Sequence, residues 1–430
     1  MSDIFNQSEK ARLRGDFQSA SRLLKATLSQ DEAHAGAWFN LGVDFNSRGD
    51  HKAALACFSR VLETHPDEPR TRVNLGWNHY LMGEHEQACQ HYDTALALDP
   101  TLGLAWMNRA LASRNAEKAL AAALKAVELE PENPQFHLVL AFAYMRNDRW
   151  KEAFAEYEWR FQFKLPEFLE YPTPRWDGKS TGHLFIPAEQ GFGDTIQFSR
   201  FVNLAAQKAE RVTLAIQPEL ISLLEPSMRT NVEVVGLPYS ADVGDCFCPL
   251  LSLPYALGLD NPELVLPTKV TTPEVNAVNL GSFREPRVGV VWAGSSEHDN
   301  DKHRSAPLEA MLGITVGQMF SFQMGEKGFA ASRYWPMFRQ VQLSAEFSLT
   351  AAAMKQMDVI VTVDTACAHL AGTLGIPTYL LLPYHGADSR WVEGENTPWY
   401  PSVTIYRQER AGDWAVPVGY VNSDLRGMYA

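Results

Sequence analysis

Two acidic residues stand directly after apolar runs, at points where helices are predicted to begin. Asp194 closes the glycine-bearing turn 189–194 behind the predicted strand 184–187, and Asp364 follows the predicted strand 358–363. A strand, a tight turn and a helix N-terminus direct backbone N–H groups at a ligand, and the helix dipole favours an ionised carboxylate there. The plain structural alternative is that each acid caps its helix through its side chain. The residue types predict a ligand site at each turn, while spacing alone leaves capping and a catalytic role for Asp194 equally open.

A charged loop follows the near-continuous apolar strand 287–294. It carries Lys302 and Arg304, and a loop at the carboxyl end of such a strand lies on the side of the sheet where ligands bind. A charged loop is more commonly only solvated, so spacing alone does not assign these cations a function. The segment 298–303 also combines two aspartates with two histidines, but short acidic patterns arise by chance, and no metal is predicted.

Two aromatic residues near these turns have both a functional and a structural interpretation. Trp292 would stack on a ligand or pack in the core, and burial is the more common outcome for this residue type. His369 lies four residues beyond Thr365, on the first turns of the predicted helix. Taken alone, such a histidine is more often a packing residue than a functional one.

Strands and helices alternate through residues 181–430, which is typical of parallel, doubly wound sheets. A helix is predicted from Thr195, just after the glycines. The predicted strands are 184–187, 211–216 and 231–235 in a first half, and 287–294, 319–324, 358–363, 377–382 and 403–406 in a second. Ligands bind such sheets at the carboxyl ends of the strands. Two halves of this kind imply a cleft with Asp194 on one side and Asp364 on the other.

Residues 1–165 contain a helical repeat. Six positions of one unit recur 34 residues later, which is the period of the tetratricopeptide repeat. The matching pairs are Leu41 with Leu75, Gly42 with Gly76, Gly49 with Gly83, Ala54 with Ala88, Phe58 with Tyr92, and Pro66 with Pro100. The pattern predicts a solenoid of four repeats with a partial N-terminal cap, and a third repeat that lacks three residues near 113–117. The proline-bearing segment 166–180 is predicted to be a linker.

Arrays of this kind form a concave surface for an extended peptide or protein segment. The alternatives left open are that the array braces the α/β part or forms a homo-oligomer. The net charge of −13 argues against nucleic acid as a partner, although a few local cations suffice for a small phosphate ligand. Five scattered cysteines favour a reducing compartment. No run reaches the ~18 apolar residues of a membrane span and no leader pattern is evident, so we expect a cytoplasmic protein.

These motifs together resemble the bacterial tetratricopeptide-containing glycosyltransferases. The catalytic part is similar to heptosyltransferases, and the domain plan is similar to that of O-GlcNAc transferase. The stretches that carry the resemblance are 189–194, 292–294, 301–305, 363–372, 399–401 and 412–414. The resemblance covers most of residues 30–415. It implies a GT-B-like pair of α/β domains, with an acceptor half at 181–284 and a nucleotide-sugar half at 285–430, without an essential metal or another cofactor.

The resemblance also implies roles for individual residues. Asp194 would be the general base for the acceptor hydroxyl, Lys302 would bind the donor diphosphate, and Asp364 would lie near the sugar. Backbone N–H groups of residues 365–367 would face the phosphates. The predicted substrate and donor residues are Gln190, Gly191, Gly193, Trp292, Lys302, Arg304, Asp364, Thr365, Ala366, Cys367 and His369. Residues 311–350 depart from the family pattern, so the nucleotide base is left without an assigned pocket.

The sequence therefore favours a glycosyltransferase that moves a sugar from a nucleotide-sugar to a hydroxyl group, with a protein acceptor recruited by the repeat array. Two alternatives stay open. In the first, the acceptor is a glycan or a lipid-linked sugar and the array serves assembly. In the second, the α/β part binds a nucleotide-sugar without turning it over. The sugar and the nucleotide are not predicted.

Overall fold

The chain divides into two compact units, Met1–Asn147 and Asp148–Ala430. The computed structural model describes residues 2–163, 171–239, 241–273, 280–281, 286–296, 300–334, 338–341 and 343–429. Three predicted features therefore lie wholly or partly outside the described residues: the start of the linker 166–180, the boundary at 284–285, and residues 298–299 of the charged loop.

The first unit is built of helices throughout its described residues 2–147. They are α1 (Ser2–Leu13), α2 (Phe17–Gln30), α3 (Ala35–Ser47), α4 (His51–Thr64), α5 (Pro69–Leu81), α6 (His85–Leu98), α7 (Gly103–Ala112), α8 (Ala116–Leu129) and α9 (Pro134–Arg146). Each helix packs on the next along the chain. The third repeat is shortened as predicted, because α7 has 10 residues where α5 has 13.

Glycine is required where the paired helices of this unit touch. A β-carbon on Gly42 would stand 2.8 Å from the ring of Phe58, and one on Gly76 would stand 2.6 Å from the ring of Tyr92. Both rings are fully buried. The 34-residue spacing of small and large residues therefore reflects direct contact between the two helices of a repeat.

The second unit is α/β. Its strands are β1 (Thr181–Pro187), β2 (Ala209–Ile216), β3 (Val232–Gly236), β4 (Cys246–Phe247), β5 (Arg287–Val291), β6 (Gln318–Ser321), β7 (Phe338–Gln340), β8 (Val359–Val363), β9 (Thr378–Leu382) and β10 (Val403–Arg407). Its helices are α10 (Trp150–Tyr157), α11 (Phe192–Phe198), α12 (Val202–Ala205), α13 (Ile221–Leu224), α14 (Leu253–Ala256), α15 (Asp301–Arg304), α16 (Leu308–Met311), α17 (Gly325–Ala331), α18 (Phe347–Met354), α19 (Ala366–Leu374) and α20 (Ala415–Tyr429). Helix α10, which the repeat period assigns to the array, lies in this unit.

The unit contains two sheets whose strand pairs are all parallel. The first sheet has the order β3-β2-β1-β4, and the second has the order β10-β9-β8-β5-β6-β7. If β5 is counted as the first strand, the strand order of the second sheet is that of a doubly wound dinucleotide-binding fold. The four strands of the first sheet have the same order as the first four strands of that fold. Every residue of β8 and β9 is buried, because helices cover both faces of such a sheet.

Two local predictions differ from the structure. The helix behind the glycine turn begins at Phe192, ahead of Thr195, so Gly193 is helical. Lys302 and Arg304 lie on the single turn α15, not in an open loop, because the carbonyl of Asn300 accepts hydrogen bonds from the backbone N–H groups of residues 303 and 304.

Candidate functional site

Each of the two predicted turns lies at the strand-order reversal of its sheet, one behind the first strand and the other behind the fourth. The turn 188–194 follows β1, beside the reversal of strand order between β1 and β4. Asp364 follows β8, beside the reversal between β5 and β8. Loops leave in opposite directions at such a reversal and open a crevice at the carboxyl ends of the strands, which is where doubly wound sheets bind ligands.

Asp194 has both a structural and an electrostatic partner. Its Oδ2 accepts a hydrogen bond of 3.0 Å from the backbone N–H of Gly191, so the side chain caps α11. Its Oδ1 lies 2.7 Å from Nη2 of Arg390, which follows β9 in the other sheet. The two side chains are only 16% and 14% exposed. One oxygen of Asp194 therefore caps the helix, as the structural alternative predicts, and the other oxygen forms an ion pair with Arg390 of the second half.

Arg390 is itself held by further partners. Its Nε lies 3.0 Å from each carboxylate oxygen of Asp388, and its Nη1 donates to the side-chain carbonyl of Gln197 at 2.9 Å. Burial acts to raise the pKa of Asp388, but the neighbouring guanidinium outweighs it and holds that pKa below its usual value. Burial acts to lower the pKa of Arg390, whereas Asp388 and Asp194 raise it well above its usual value. The guanidinium is a fixed positive charge between the two sheets.

The helix starts of the two turns touch each other. A β-carbon on Gly193 would stand 2.7 Å from Cδ2 of His369 and 3.4 Å from Cα of Ala366. Only glycine allows α11 to approach the first turn of α19 this closely. The glycine turn thus contributes to the site by permitting contact between the two halves.

Asp364 sits in a different environment from Asp194. Its Oδ1 accepts a hydrogen bond of 2.9 Å from the indole N–H of Trp391. Burial, with a smaller effect of the nearby Asp388 carboxylate, raises the pKa of Asp364 to about 6. The ring of Trp391 stacks on His369 with centroids 4.8 Å apart, and Nδ1 of His369 lies 3.2 Å from the hydroxyl of Tyr400.

The first turn of α19 supplies little charge of its own. Burial and the positive Arg390 lower the pKa of His369 to about 3, so the imidazole is neutral at physiological pH. Burial raises the pKa of Cys367 to about 12, so its thiol stays protonated. Thr365 is the N-cap residue with extended backbone, and Ala366 is the first residue of the helix. An anion at this turn would therefore be bound by the backbone N–H groups at the N-terminus of α19.

Helix α15 contributes the cations of the predicted charged loop. Lys302 is exposed. The Arg304 guanidinium lies over the backbone of Gly294, where a β-carbon would stand 2.6 Å from Nη2. Asp301 binds Lys327 at 2.8 Å and Ser305 at 2.7 Å. The preceding Asn300 side chain donates to the carbonyl of Gly386 at 2.5 Å, which places α15 beside the segment that carries Arg390.

Two predicted residues have structural partners. Trp292 is 3% exposed and packs edge-on against Phe338 in the core of the second sheet, the alternative that its type favours. Gln190 donates a hydrogen bond of 2.8 Å to the hydroxyl of Tyr157, at the end of α10. The ring of Trp292 therefore belongs to the core and is not part of the site.

The structure brings most of the predicted residues to one place and adds three that the sequence analysis missed. Gly193 meets Ala366 and His369 directly, Asp194 is the next residue along α11, and Trp391 connects Asp364 to His369. The missed residues are Asp388, Arg390 and Trp391. The available signal was a basic and an aromatic residue shortly after a buried strand, at the edge of the sheet where Asp364 also lies. Within the described residues, no group of three or more His, Cys, Asp or Glu side chains is arranged to hold a metal ion.

Comparison with known proteins addresses the first unit most directly. Two models of the tetratricopeptide repeat match the chain, one over residues 33–101 and another over 104–158. The N-terminal region carries tetratricopeptide repeats. BBSome complex member BBS4 of Mus musculus is 27% identical over 147 residues, which are 34% of this chain and 28% of BBS4.

A longer similarity includes the α/β unit. Protein FlbA of Caulobacter vibrioides is 25% identical over 444 aligned residues, which cover 91% of this chain and 72% of FlbA. Among solved structures, MamA from Desulfovibrio magneticus RS-1 is 24% identical, with a TM-score of 0.35 over 37% of this chain and 93% of MamA. A thermophilic tetratricopeptide protein of Thermus thermophilus is 19% identical, with a TM-score of 0.33 over 38% of this chain and 96% of its own. No helix in the described part of the chain is long and apolar enough to cross a membrane.

Proposed function

We propose that the protein is a cytoplasmic glycosyltransferase of GT-B type, which transfers a sugar from a nucleotide-sugar to a hydroxyl group. The observation that carries the proposal is the juxtaposition of two doubly wound sheets at their strand-order reversals. It sets Gly193, the residue before the carboxylate Asp194, against the first turn of α19. A group suited to deprotonate a hydroxyl then lies close to a helix N-terminus suited to an anion, and transfer from a nucleotide-sugar requires both.

The proposed reaction is a direct displacement. Asp194 takes the proton of the acceptor hydroxyl as the acceptor oxygen bonds to the anomeric carbon of the sugar. The bond from that carbon to the diphosphate breaks, and the nucleoside diphosphate leaves with the electron pair. The N-terminus of α19, Lys302 and Arg304 offset the charge that develops on the diphosphate. Asp364, two residues before α19, would accept a hydrogen bond from a hydroxyl of the sugar.

The repeat array is a protein-interaction module, and we propose that it recruits a protein or peptide acceptor. Binding energy from a distant part of an acceptor would raise the local concentration of the reacting hydroxyl. If the array recruits the acceptor, transfer to a full-length acceptor should be faster than transfer to a short acceptor fragment. If the array serves only assembly, the two transfer rates should be equal.

A second candidate function is that of a nucleotide-sugar-binding scaffold without catalysis. The observation in its favour is that both oxygens of Asp194 are engaged, one by Gly191 and one by Arg390. A scaffold would bind nucleotide-sugars and release no nucleoside diphosphate.

The proposal is tested in two steps on the full chain. A panel of UDP-, GDP-, ADP- and CDP-sugars is screened by thermal shift, and the stabilising donor is then assayed for release of nucleoside diphosphate. We expect one nucleotide class to raise the melting temperature, and Lys302→Ala to weaken that effect. Lys355→Ala is the matched control, because Lys355 is also an exposed lysine of the second half but lies at the end of α18. Equal effects of the two substitutions would remove Lys302 from the donor site.

A further inference from the structure

Arg390 makes a contact that the proposed reaction leaves unexplained. The residue belongs to the second half, yet its Nη2 lies 2.7 Å from Asp194 in the first. Its Nη1 donates to Gln197, which is also in the first half. Asp388, two residues before Arg390 in the chain, binds the Nε edge of the guanidinium. One cation is therefore shared by two carboxylates, and the cluster has a net charge of about −1.

An ion-paired carboxylate is a poor general base. Both oxygens of Asp194 already have partners, because Oδ1 lies 2.7 Å from Nη2 of Arg390 and Oδ2 accepts a hydrogen bond from the backbone N–H of Gly191. A base working on a hydroxyl group must therefore be released from this partner first. In the structure, Asp194 is in the ion-paired arrangement.

The guanidinium lies where an anion would compete for it. The next residue, Trp391, donates to Asp364 and stacks on His369, so Arg390 is beside the first turn of α19. The positive charge of Arg390 also lowers the pKa of His369, which requires proximity. A diphosphate at this helix start carries more charge than one carboxylate and accepts two parallel hydrogen bonds from arginine.

We propose that Arg390 is a diphosphate-binding residue that exchanges Asp194 for the diphosphate of the donor. The exchange releases Asp194 as a base only when the donor is bound, with Asp388 keeping the guanidinium in position throughout. The inference rests on the proposed function, because it takes the ligand at α19 to be a nucleoside diphosphate group.

The test is isothermal titration of the full chain with UDP, GDP, ADP and CDP. Because Asp194 competes with the diphosphate for Arg390, Asp194→Asn is expected to tighten binding about 5- to 10-fold, while Asn can still cap α11. Arg390→Met is expected to weaken binding about 10-fold or more. In the Arg390→Met background, adding Asp194→Asn should change nothing, since the competitor acts only through Arg390. Asp260→Asn is the control, because it removes an exposed carboxylate from an ion pair with Lys151.

The outcomes separate the exchange from the function on which it rests. Failure of all four nucleotides to bind any of these proteins would overturn the proposed function. If a nucleotide binds the wild type and Asp194→Asn binds it equally or more weakly, the exchange is wrong and the proposed function stands. The exchange is also wrong if Asp194→Asn tightens nucleotide binding as strongly in the Arg390→Met background as in the wild type. Thermal melting of each variant identifies any loss of folding.

Discussion

The two strand-to-helix turns of the α/β unit present one carboxylate each but support it by different physics. The first turn is held by paired charges: Asp194 meets Arg390, and Glu189 at its start binds the buried Arg160 through both carboxylate oxygens. The second turn is held by aromatic packing around His369, and Asp364 has a neutral donor, Trp391. Burial raises the pKa of Asp364, whereas the carboxylates of the first turn are each matched by a cation. The first turn therefore depends on charge complementarity, and the second depends on packing.

Removing the buried cation below the first turn should have the largest effect. Arg160 is 1% exposed and its partner Glu189 is 4% exposed, so Arg160→Met leaves an uncompensated buried carboxylate. We expect the free energy of unfolding of the α/β unit to fall by about 3–5 kcal/mol, measured as a drop in its thermal midpoint.

Two further variants isolate the charge from the packing. Adding Glu189→Gln to Arg160→Met should recover much of the loss, because the buried charge is then gone. Lys151→Ala removes an exposed ion pair with Asp260 and should cost less than about 1 kcal/mol. If Arg160→Met lowered the free energy of unfolding by no more than Lys151→Ala does, the first turn would not depend on paired charges.

A side chain added between the two turns should have an intermediate effect. Gly193→Ala places its methyl group 2.7 Å from His369, and the resulting overpacking should destabilise the unit by about 1–3 kcal/mol. Gly419→Ala is the control, because Gly419 lies inside α20 with open space around it and should gain about 0.5–1 kcal/mol. Stabilisation by both substitutions would show that the two helix starts do not meet as described.

The smallest effect concerns the second turn and depends on pH. The folded protein raises the pKa of Asp364 to about 6, so ionisation there opposes folding above pH 6 and has no such effect below about pH 4. Asp364→Asn should therefore raise the stability of the unit by about 1–2 kcal/mol at pH 7.5, and this gain should vanish by pH 4. Melting curves across that range provide the measurement. A gain of equal size at every pH would assign the effect to packing.

The sequence predicts the repeat because its signal is local and periodic, as the contacts of Gly42 with Phe58 and of Gly76 with Tyr92 make clear. The parallel sheets are also predictable, since buried strands alternate with helices along the chain. The two acidic turns follow strand ends, which is a pattern visible in a few consecutive residues.

Contacts between distant residues are not predictable in this way. Asp194 and Arg390 are far apart along the chain, and only the relative placement of the two sheets brings them to 2.7 Å. The ring of Trp292 has two reasonable locations in the sequence, and the packing around Phe338 decides between them. Gly193 looks like a turn residue, but in the structure it makes room for a helix from the other half.

The central claim is that Asp194 is the base of a nucleotide-sugar-dependent transfer. The most direct test is the rate of nucleoside diphosphate release from the stabilising nucleotide-sugar, compared between the wild type and Asp194→Asn. We expect kcat to fall by about 10²- to 10⁴-fold in the variant, while its affinity for the nucleoside diphosphate does not weaken. Release at the wild-type rate by Asp194→Asn would show that Asp194 is not the base.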